Sequence, residues 1–200
     1  MTITYTHGDS LYLNLTNRCS NRCVFCVRTQ ADGYYSDDLW LTREPTVDEI
    51  LDDLGKRDLT RYDSLVFCGY GEPTERLDDM LSVCRAVRRD HGIPLRVNTN
   101  GQSDLIHGCR TAPRFEGLLD VVSISLNAPT AAGYQAICRS VYGEEAFDAI
   151  LRFASDVKRF VPSVVFSVVR GTIPDDELES CRRIADSVGV PLRIREYIRT

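Results

Sequence analysis

Apolar residues along the chain follow two kinds of spacing, which alternate from the first residues to the last. Short runs that are continuously apolar or alternate with polar residues predict strands. These strands are predicted at 10–16, 63–69, 94–101, 120–128, 163–169 and 191–198. Between them, apolar residues recur every three to four positions, which predicts helices. The helices are predicted over 46–56, from about residue 74, briefly around 103–109, and over 144–159 and 175–188.

Local signals support several helix ends. Thr46 and Glu49 have the spacing of a capping box, and Gly55 suits the end of the same helix. Thr74 is predicted to cap the second helix, and Gly189 follows the last one.

Strands that alternate with helices of this length favour a parallel sheet with right-handed crossovers. A closed eightfold barrel needs about 250 residues, so the 200 residues here fit a partial barrel or an open doubly wound sheet. In either architecture, ligands bind at the carboxyl ends of the strands. We expect one domain over residues 1–200.

Composition is that of a soluble globular chain, with 43% hydrophobic residues and a net charge of −5. That charge does not favour a scaffold that holds nucleic acid by a strong positive field. There is no signal-peptide pattern and no apolar run of about 20 residues, so we expect a cytoplasmic protein without membrane association. In that compartment, eight cysteines are more readily thiols or metal ligands than disulfides.

Three cysteines occur in the segment "CSNRCVFC", with the spacing C-x3-C-x2-C, directly after the first strand. They are Cys19, Cys23 and Cys26. Zinc with a histidine from elsewhere is one reading, and a catalytic zinc with three protein ligands is another. A 4Fe–4S cluster is the third, in which three thiolates leave one iron open for another ligand. Phe25 would form an apolar wall beside that ligand.

Three further strand ends carry glycine or small polar residues: "CGYGEPT" after the second, "NTNG" after the third and "SLNA" after the fourth. Gly69 and Gly71 would let the backbone approach a ligand, and Glu72 would accept hydrogen bonds from an amine. Ordinary turn and capping chemistry explains the same residue types. The convergence of four strand ends at one edge is therefore the stronger signal.

The last strand and one long loop add two candidates. Arg193 and Arg195 alternate with apolar residues, so an arginine directed into the barrel would bind a carboxylate; a solvated edge strand explains the pattern equally well. The loop 27–45 is long for a compact domain, and Tyr34, Tyr35 and Trp40 are expected to line an opening there.

The remaining cysteines show no ligand spacing. Cys84 and Cys181 lie on apolar helix faces and are predicted to be buried thiols.

The cysteine motif with an aromatic residue before its third cysteine resembles the radical S-adenosylmethionine (SAM) superfamily. "GYGEP" is similar to that superfamily's G-G-E motif, with Tyr70 replacing the second glycine. "NTNG" and "SLNA" resemble its ribose-contacting strand ends. The likeness covers essentially the whole chain as a partial (β/α)6 TIM-like barrel. More narrowly, "LYLNLTNRC", "YQAICRSVYGEEAFDAILRFA" and "LRIREYI" resemble the TatD-associated radical SAM proteins.

The resemblance implies roles for individual residues. Cys19, Cys23 and Cys26 would bind three irons of a 4Fe–4S cluster, and SAM would chelate the fourth. The reduced cluster would cleave SAM to a 5′-deoxyadenosyl radical that abstracts hydrogen from an unidentified substrate. The implied SAM contacts are Gly69, Tyr70, Gly71 and Glu72 for the amino group, Asn98, Ser125 and Asn127 for ribose or carboxylate, Phe25 for adenine and Arg195 for the carboxylate.

The resemblance also implies partners and alternatives. A one-electron donor such as flavodoxin or ferredoxin would reduce the cluster, and the substrate would be a small molecule, a protein or a tRNA. A functional link to a TatD-type hydrolase is implied by the narrower likeness. No auxiliary-cluster or cobalamin domain is expected. The alternatives are an activase of glycyl-radical enzymes and, from another class, a zinc-stabilised binding module.

Overall fold

A computed structural model describes residues 1–29 and 38–197 of the chain. Its strands form one seven-stranded sheet in the order of the sequence. The strands are β1 (Thr4–His7), β2 (Ser10–Leu13), β3 (Ser64–Phe67), β4 (Leu95–Thr99), β5 (Val121–Ser125), β6 (Ser163–Val169) and β7 (Leu192–Arg195).

Six of these strands, β2 to β7, pair in parallel and confirm the predicted α/β architecture. The sheet is open, because β1 and β7 lie at its two edges. Strand β1 was not predicted; it pairs antiparallel with β2 through a tight turn at Gly8, whose φ is 55°. Only four residues long and largely polar, β1 lacks the pattern by which the other strands are recognised.

The described helices lie between the strands. They are α1 (Val47–Leu54), α2 (Leu77–Asp90), α3 (Ser103–His107), α4 (Ala131–Cys138), α5 (Glu145–Val157) and α6 (Asp175–Val188). The capping box of Thr46 and Glu49 is present, and Gly189 closes α6 in the left-handed conformation with φ 73°.

One helix prediction was wrong, and one helix was missed. Thr74 does not cap α2; it lies inside a short 3-10 turn, Pro73–Arg76, that Glu72 caps, and α2 begins only at Leu77. Helix α4 was not predicted, because it is only eight residues long, contains Gly133 and has no clear apolar face.

The two faces of the sheet differ in chemistry. Outward-directed residues such as Leu13, Phe67, Val97 and Phe166 form the main core with the helices. The intervening residues of each strand lie on the opposite face, which we call the inner face. The predicted buried thiols, Cys84 and Cys181, belong to the main core.

No helix within the described residues is long and apolar enough to cross a membrane.

Candidate functional site

The carboxyl ends of the parallel strands carry the residues singled out in the sequence. The cysteine segment follows β2, the glycine turn follows β3, and Asn100 and Asn127 follow β4 and β5. Because neighbouring parallel strands end at the same edge of a sheet, these segments lie side by side.

The three motif cysteines lie on one loop and are all partly buried. The backbone N–H of Cys26 donates to the carbonyl of Cys23 at 3.2 Å, which places the last two cysteines in one turn. Burial raises the pKa of Cys19 to about 12 and also raises the pKa of Cys26. The positive charge of Arg28 lowers the pKa of all three cysteines and so opposes the effect of burial. The loop therefore sets three enclosed sulfurs beside one fixed cation.

Backbone and side-chain hydrogen bonds shape this loop. The backbone N–H of Asn21 donates to Cys19 Sγ at 3.4 Å. The Arg28 guanidinium donates to the carbonyls of Asn21, Asn17 and Tyr70 at 3.2, 3.4 and 3.5 Å. Arg28 thus ties the cysteine segment to the glycine turn.

A fourth cysteine, Cys138 at the end of α4, contacts the motif. Its thiol shares a hydrogen bond with Cys23, which raises the pKa of Cys23 and lowers that of Cys138. The backbone N–H groups of Arg22 and Val24 donate to the carbonyls of Cys138 and Ile137, both at 2.9 Å. The last turn of α4 therefore supports the cysteine loop. Sequence spacing gave no sign of this, because Cys138 is more than a hundred residues away.

The donor set fits an iron–sulfur cluster. Three thiols from one loop are the ligand type that such clusters take. Among the described residues, no group of three or more histidine, cysteine, aspartate and glutamate side chains is arranged to hold a metal ion, so the fit rests on the chemistry of the thiols. The side-chain oxygen of Asn127 is buried beside Cys138 without a hydrogen-bond partner, so it is available to accept a hydrogen bond from a ligand near the thiols.

Glu72 is bound within the protein. Its Oε1 accepts hydrogen bonds from the Thr74 backbone N–H at 3.1 Å and from the hydroxyls of Thr74 and Thr99 at 2.8 and 2.7 Å. Its Oε2 accepts from the Asn100 N–H at 2.7 Å. Burial raises the pKa of Glu72, and these four donors oppose that shift. The carboxylate fixes the glycine turn to the end of β4, a role that differs from the expected contact with an amine.

A side chain does not fit at Gly69 or Gly71, because atoms of other segments occupy the space where a Cβ would lie. A Cβ on Gly69 would lie 2.0 Å from the side-chain oxygen of Asn14. A Cβ on Gly71 would lie 2.2 Å from the carbonyl oxygen of Thr16 and 2.5 Å from that of Arg18. The expected close approach therefore exists, but it joins the glycine turn to the segment that leads into the cysteines.

A buried polar network fixes the other side of the cysteine loop, and sequence reasoning missed it. Gln102 donates to the Asn21 side-chain oxygen at 2.8 Å and to the Tyr134 hydroxyl at 2.9 Å. Asn21 donates to the same hydroxyl at 2.8 Å, and Ser140 donates to Gln102 at 3.0 Å. These residues come from three distant segments, so only the fold brings them together.

The other predicted contacts occupy distinct positions. Asn127 is buried with a positive φ of 58° and donates to Cys138 Sγ at 3.5 Å. Asn98 and Ser125 lie on the inner face, where Asn98 accepts a hydrogen bond from Arg96 Nε at 2.9 Å. Arg195 ends β7, and its Nε is buried without a hydrogen-bond partner.

The predicted aromatic contacts belong to different parts of the protein. Phe25 packs against the main core. Tyr70 is buried in a separate cluster with Tyr5 and Leu39, and Trp40 meets the Tyr70 ring edge-on at a centroid distance of 5.2 Å. Tyr34 and Tyr35, expected to line an opening, lie outside the described residues.

Residues 13–184 match the model of the Radical SAM superfamily. The chain is 27% identical over 143 residues to a GTP 3',8-cyclase of Lactiplantibacillus plantarum, covering 71% of this chain and 40% of the relative. It is 26% identical over 194 residues to a probable dual-specificity RNA methyltransferase of Streptococcus thermophilus, covering 90% and 46%. The chain thus spans less than half the length of these curated relatives.

Solved structures share the fold. A radical SAM methyltransferase from Sphaerobacter thermophilus superposes with a TM-score of 0.62 at 18% identity, covering 96% of this chain and 68% of that one. A structure of anSMEcpe with bound AdoMet superposes with a TM-score of 0.65 at 17% identity, covering 94% and 50%. The family match over residues 13–184 shows that the chain belongs to the radical SAM superfamily, whose members use a 4Fe–4S cluster and SAM.

Proposed function

We propose that this protein is a radical SAM enzyme in which Cys19, Cys23 and Cys26 hold the 4Fe–4S cluster and SAM completes its coordination. The observation that carries the proposal is the single loop of three enclosed thiols, set at the carboxyl edge beside the buried, unpartnered oxygen of Asn127. When bound and reduced, the cluster supplies the electron that cleaves SAM to a 5′-deoxyadenosyl radical.

The chain's own residues position these groups. Arg28 places a positive charge beside the thiolates and so favours their ionised, metal-binding form. The network around Gln102 and the last turn of α4 hold the cysteine loop in place by hydrogen bonds.

SAM is proposed to bind along the strand ends. Backbone groups of Gly69, Tyr70 and Gly71 bind its amino group, while the carboxylate of Glu72 keeps that turn in place. Asn98, Ser125 and Asn127 contact ribose or carboxylate, Phe25 lies on the adenine side, and Arg195 pairs with the carboxylate. Two observations support this arrangement: Asn127 offers an unpartnered acceptor and Arg195 an unpartnered donor. No residue is assigned as an acid or base.

The substrate is not assigned by likeness. The relatives named above are a cyclase of GTP and a methyltransferase of RNA, and these substrates differ in kind. The narrower TatD-associated identity, a link to a TatD-type hydrolase, a flavodoxin or ferredoxin donor and a cytoplasmic location belong to the proposal. So does the reading of residues 1–200 as a single radical SAM core.

Two alternatives are retained for testing. An activase of glycyl-radical enzymes would use the same cluster and SAM, with a protein as substrate. A zinc-stabilised module is disfavoured by the family match.

Anaerobic reconstitution with iron and sulfide tests the proposal. The wild-type protein, reduced with dithionite, is expected to convert SAM to 5′-deoxyadenosine, measured by mass spectrometry. Cys23→Ala should abolish this conversion, whereas Cys84→Ala, which alters a thiol of the main core, should retain it. Binding of one zinc without iron–sulfur absorbance or 5′-deoxyadenosine would refute the proposal.

A further inference from the structure

The inner face of the parallel sheet carries arginine but no carboxylate. None of the residues of β2 to β7 is aspartate or glutamate. Arg96 lies on this face of β4, and Arg193 and Arg195 lie on it in β7, because the intervening Val97 and Ile194 pack with the outer core. Three guanidinium groups are thus directed toward the same side of the sheet, where Arg96 and Arg195 are partly buried and Arg193 is exposed.

These arginines act on one another across the sheet. Burial lowers the pKa of Arg96, and the charges of Arg193 and then Arg195 lower it further, although β4 and β7 are separated by two strands. The charges of all three arginines also lower the pKa of Tyr12, on the inner face of β2, against the larger effect of burial. These effects agree with the strand alternation that puts the three arginines on one face of the sheet.

Within residues 1–29 and 38–197, none of the three has a counterion. Among the described residues, every ion pair of an arginine involves a different arginine. The carboxylates nearest in sequence are engaged elsewhere: Asp90 binds Arg89 at 3.1 Å, and Glu196 binds Arg170 at 3.0 Å. Arg96 and Arg195 are partly removed from water, which is costly for a cation unless an anion joins it.

The strands between the arginines carry hydroxyl groups on the same face. Asn98 of β4 is level with Ser123 of β5 and Val165 of β6, and Ser125 is level with Ser167, next to Arg193. Three serines and Val165 thus occupy these positions of the inner face between β4 and β7. Arg96 is the second residue of its strand, so it lies well below the carboxyl edge. A ligand must enter beneath that edge to reach it, which favours a small molecule over a nucleic acid duplex or a folded protein surface.

We infer that the inner face binds an oxyanion of a small-molecule substrate, a carboxylate or a phosphate, through Arg96 and Arg193. This inference rests on the proposed function, in which Arg195 is already paired with the SAM carboxylate. Guanidinium groups bind both oxyanions by paired N–H donors. The inner-face serines supply further hydroxyl groups to the same ligand.

Calorimetric titration of the reconstituted protein, saturated with SAM at constant ionic strength, tests this. The probes are malonate, inorganic phosphate and the uncharged malonamide. We expect malonate or phosphate to bind at least tenfold more tightly than malonamide, and the tighter of the two identifies the oxyanion. Arg96→Gln and Arg193→Gln should each weaken that binding about tenfold, the effect of losing one charged hydrogen bond. Arg182→Gln, on exposed α6, is the matched control.

A measurement on the wild-type chain guards against misfolded variants. Phenylglyoxal labelling, mapped by mass spectrometry, should modify Arg193 more slowly when the tighter anion is present, while labelling of Arg182 stays unchanged. Equal binding of all three probes, or variants that bind like wild type, would overturn the inference. Arginine-dependent binding of a single-stranded RNA without binding of either small anion would overturn it too. Anion binding without SAM cleavage would refute the proposed function alone, and SAM cleavage without anion binding would refute this inference alone.

Discussion

The carboxylate of Glu72 accepts a hydrogen bond from the backbone N–H of Asn100 at 2.7 Å and so joins the glycine turn after β3 to the end of β4. The side chain of Asn100 in turn donates to the hydroxyl of Ser20, inside the cysteine segment, at 2.8 Å. A chain of two hydrogen bonds therefore connects three of the strand ends that form the site.

Glu72→Gln tests the structural role of this carboxylate. The amide replaces one accepting oxygen with a donor that faces either the Asn100 N–H or the threonine hydroxyls. We expect the free energy of unfolding, from urea denaturation of the metal-free protein, to fall by about 1–3 kcal/mol. Glu116→Gln, at an exposed position, is the control and should change it little. Weaker SAM binding at unchanged stability would show instead that Glu72 acts mainly on the ligand.

Gly71→Ala tests the contact between the glycine turn and the cysteine segment. The added methyl group would meet the carbonyl oxygens of Thr16 and Arg18, both backbone atoms that move only with the loop. We expect a loss of stability of about 1–3 kcal/mol and less iron bound after reconstitution. Gly92→Ala is the matched control, since nothing lies within 4 Å of its Cβ position. Equal stability and iron content in the two variants would contradict the contact.

Cys138→Ala separates support of the cluster loop from coordination. Because three thiols of the motif suffice in our account, this variant should still load a full four-iron cluster, at a stability cost of about 1 kcal/mol. Iron and sulfide analysis with absorbance spectra provides the measurement. A variant that loads no cluster while remaining folded would make Cys138 a ligand and would leave no open iron for SAM.

Asn127→Gly tests the unpartnered acceptor. Glycine adopts the positive φ of this position without strain, so the fold should persist while the side-chain oxygen is lost. We expect the dissociation constant of SAM to rise by about 2–10-fold, the effect of one hydrogen bond. Equilibrium dialysis of the reconstituted protein measures it, and an unchanged constant would remove Asn127 from the SAM site.

Much of the fold was predictable from local pattern. The parallel strands and the helices α1, α2, α5 and α6 have strong periodicity, and their partners are their neighbours in sequence. Strand β1 and helix α4 were missed because both are short and owe their stability to pairing and packing.

The site was predictable to the level of residue type but not of contact. The spacing of the cysteines and the polar strand ends can be read from the sequence. The role of Glu72 within the protein, the contact of Cys138 with Cys23 and the network around Gln102 depend on segments that meet only after folding. Contacts between segments that are far apart in sequence produce no periodic pattern in a single sequence.

The central claim is that the three motif cysteines leave one iron open and that SAM binds it. Electron–nuclear double resonance of the reduced, reconstituted protein, with SAM labelled by 15N in its amino group and 17O in its carboxylate, tests this directly. Our account predicts hyperfine coupling of both labels to the cluster in the wild type and in Cys84→Ala. A well-formed cluster that shows coupling to neither label would contradict it.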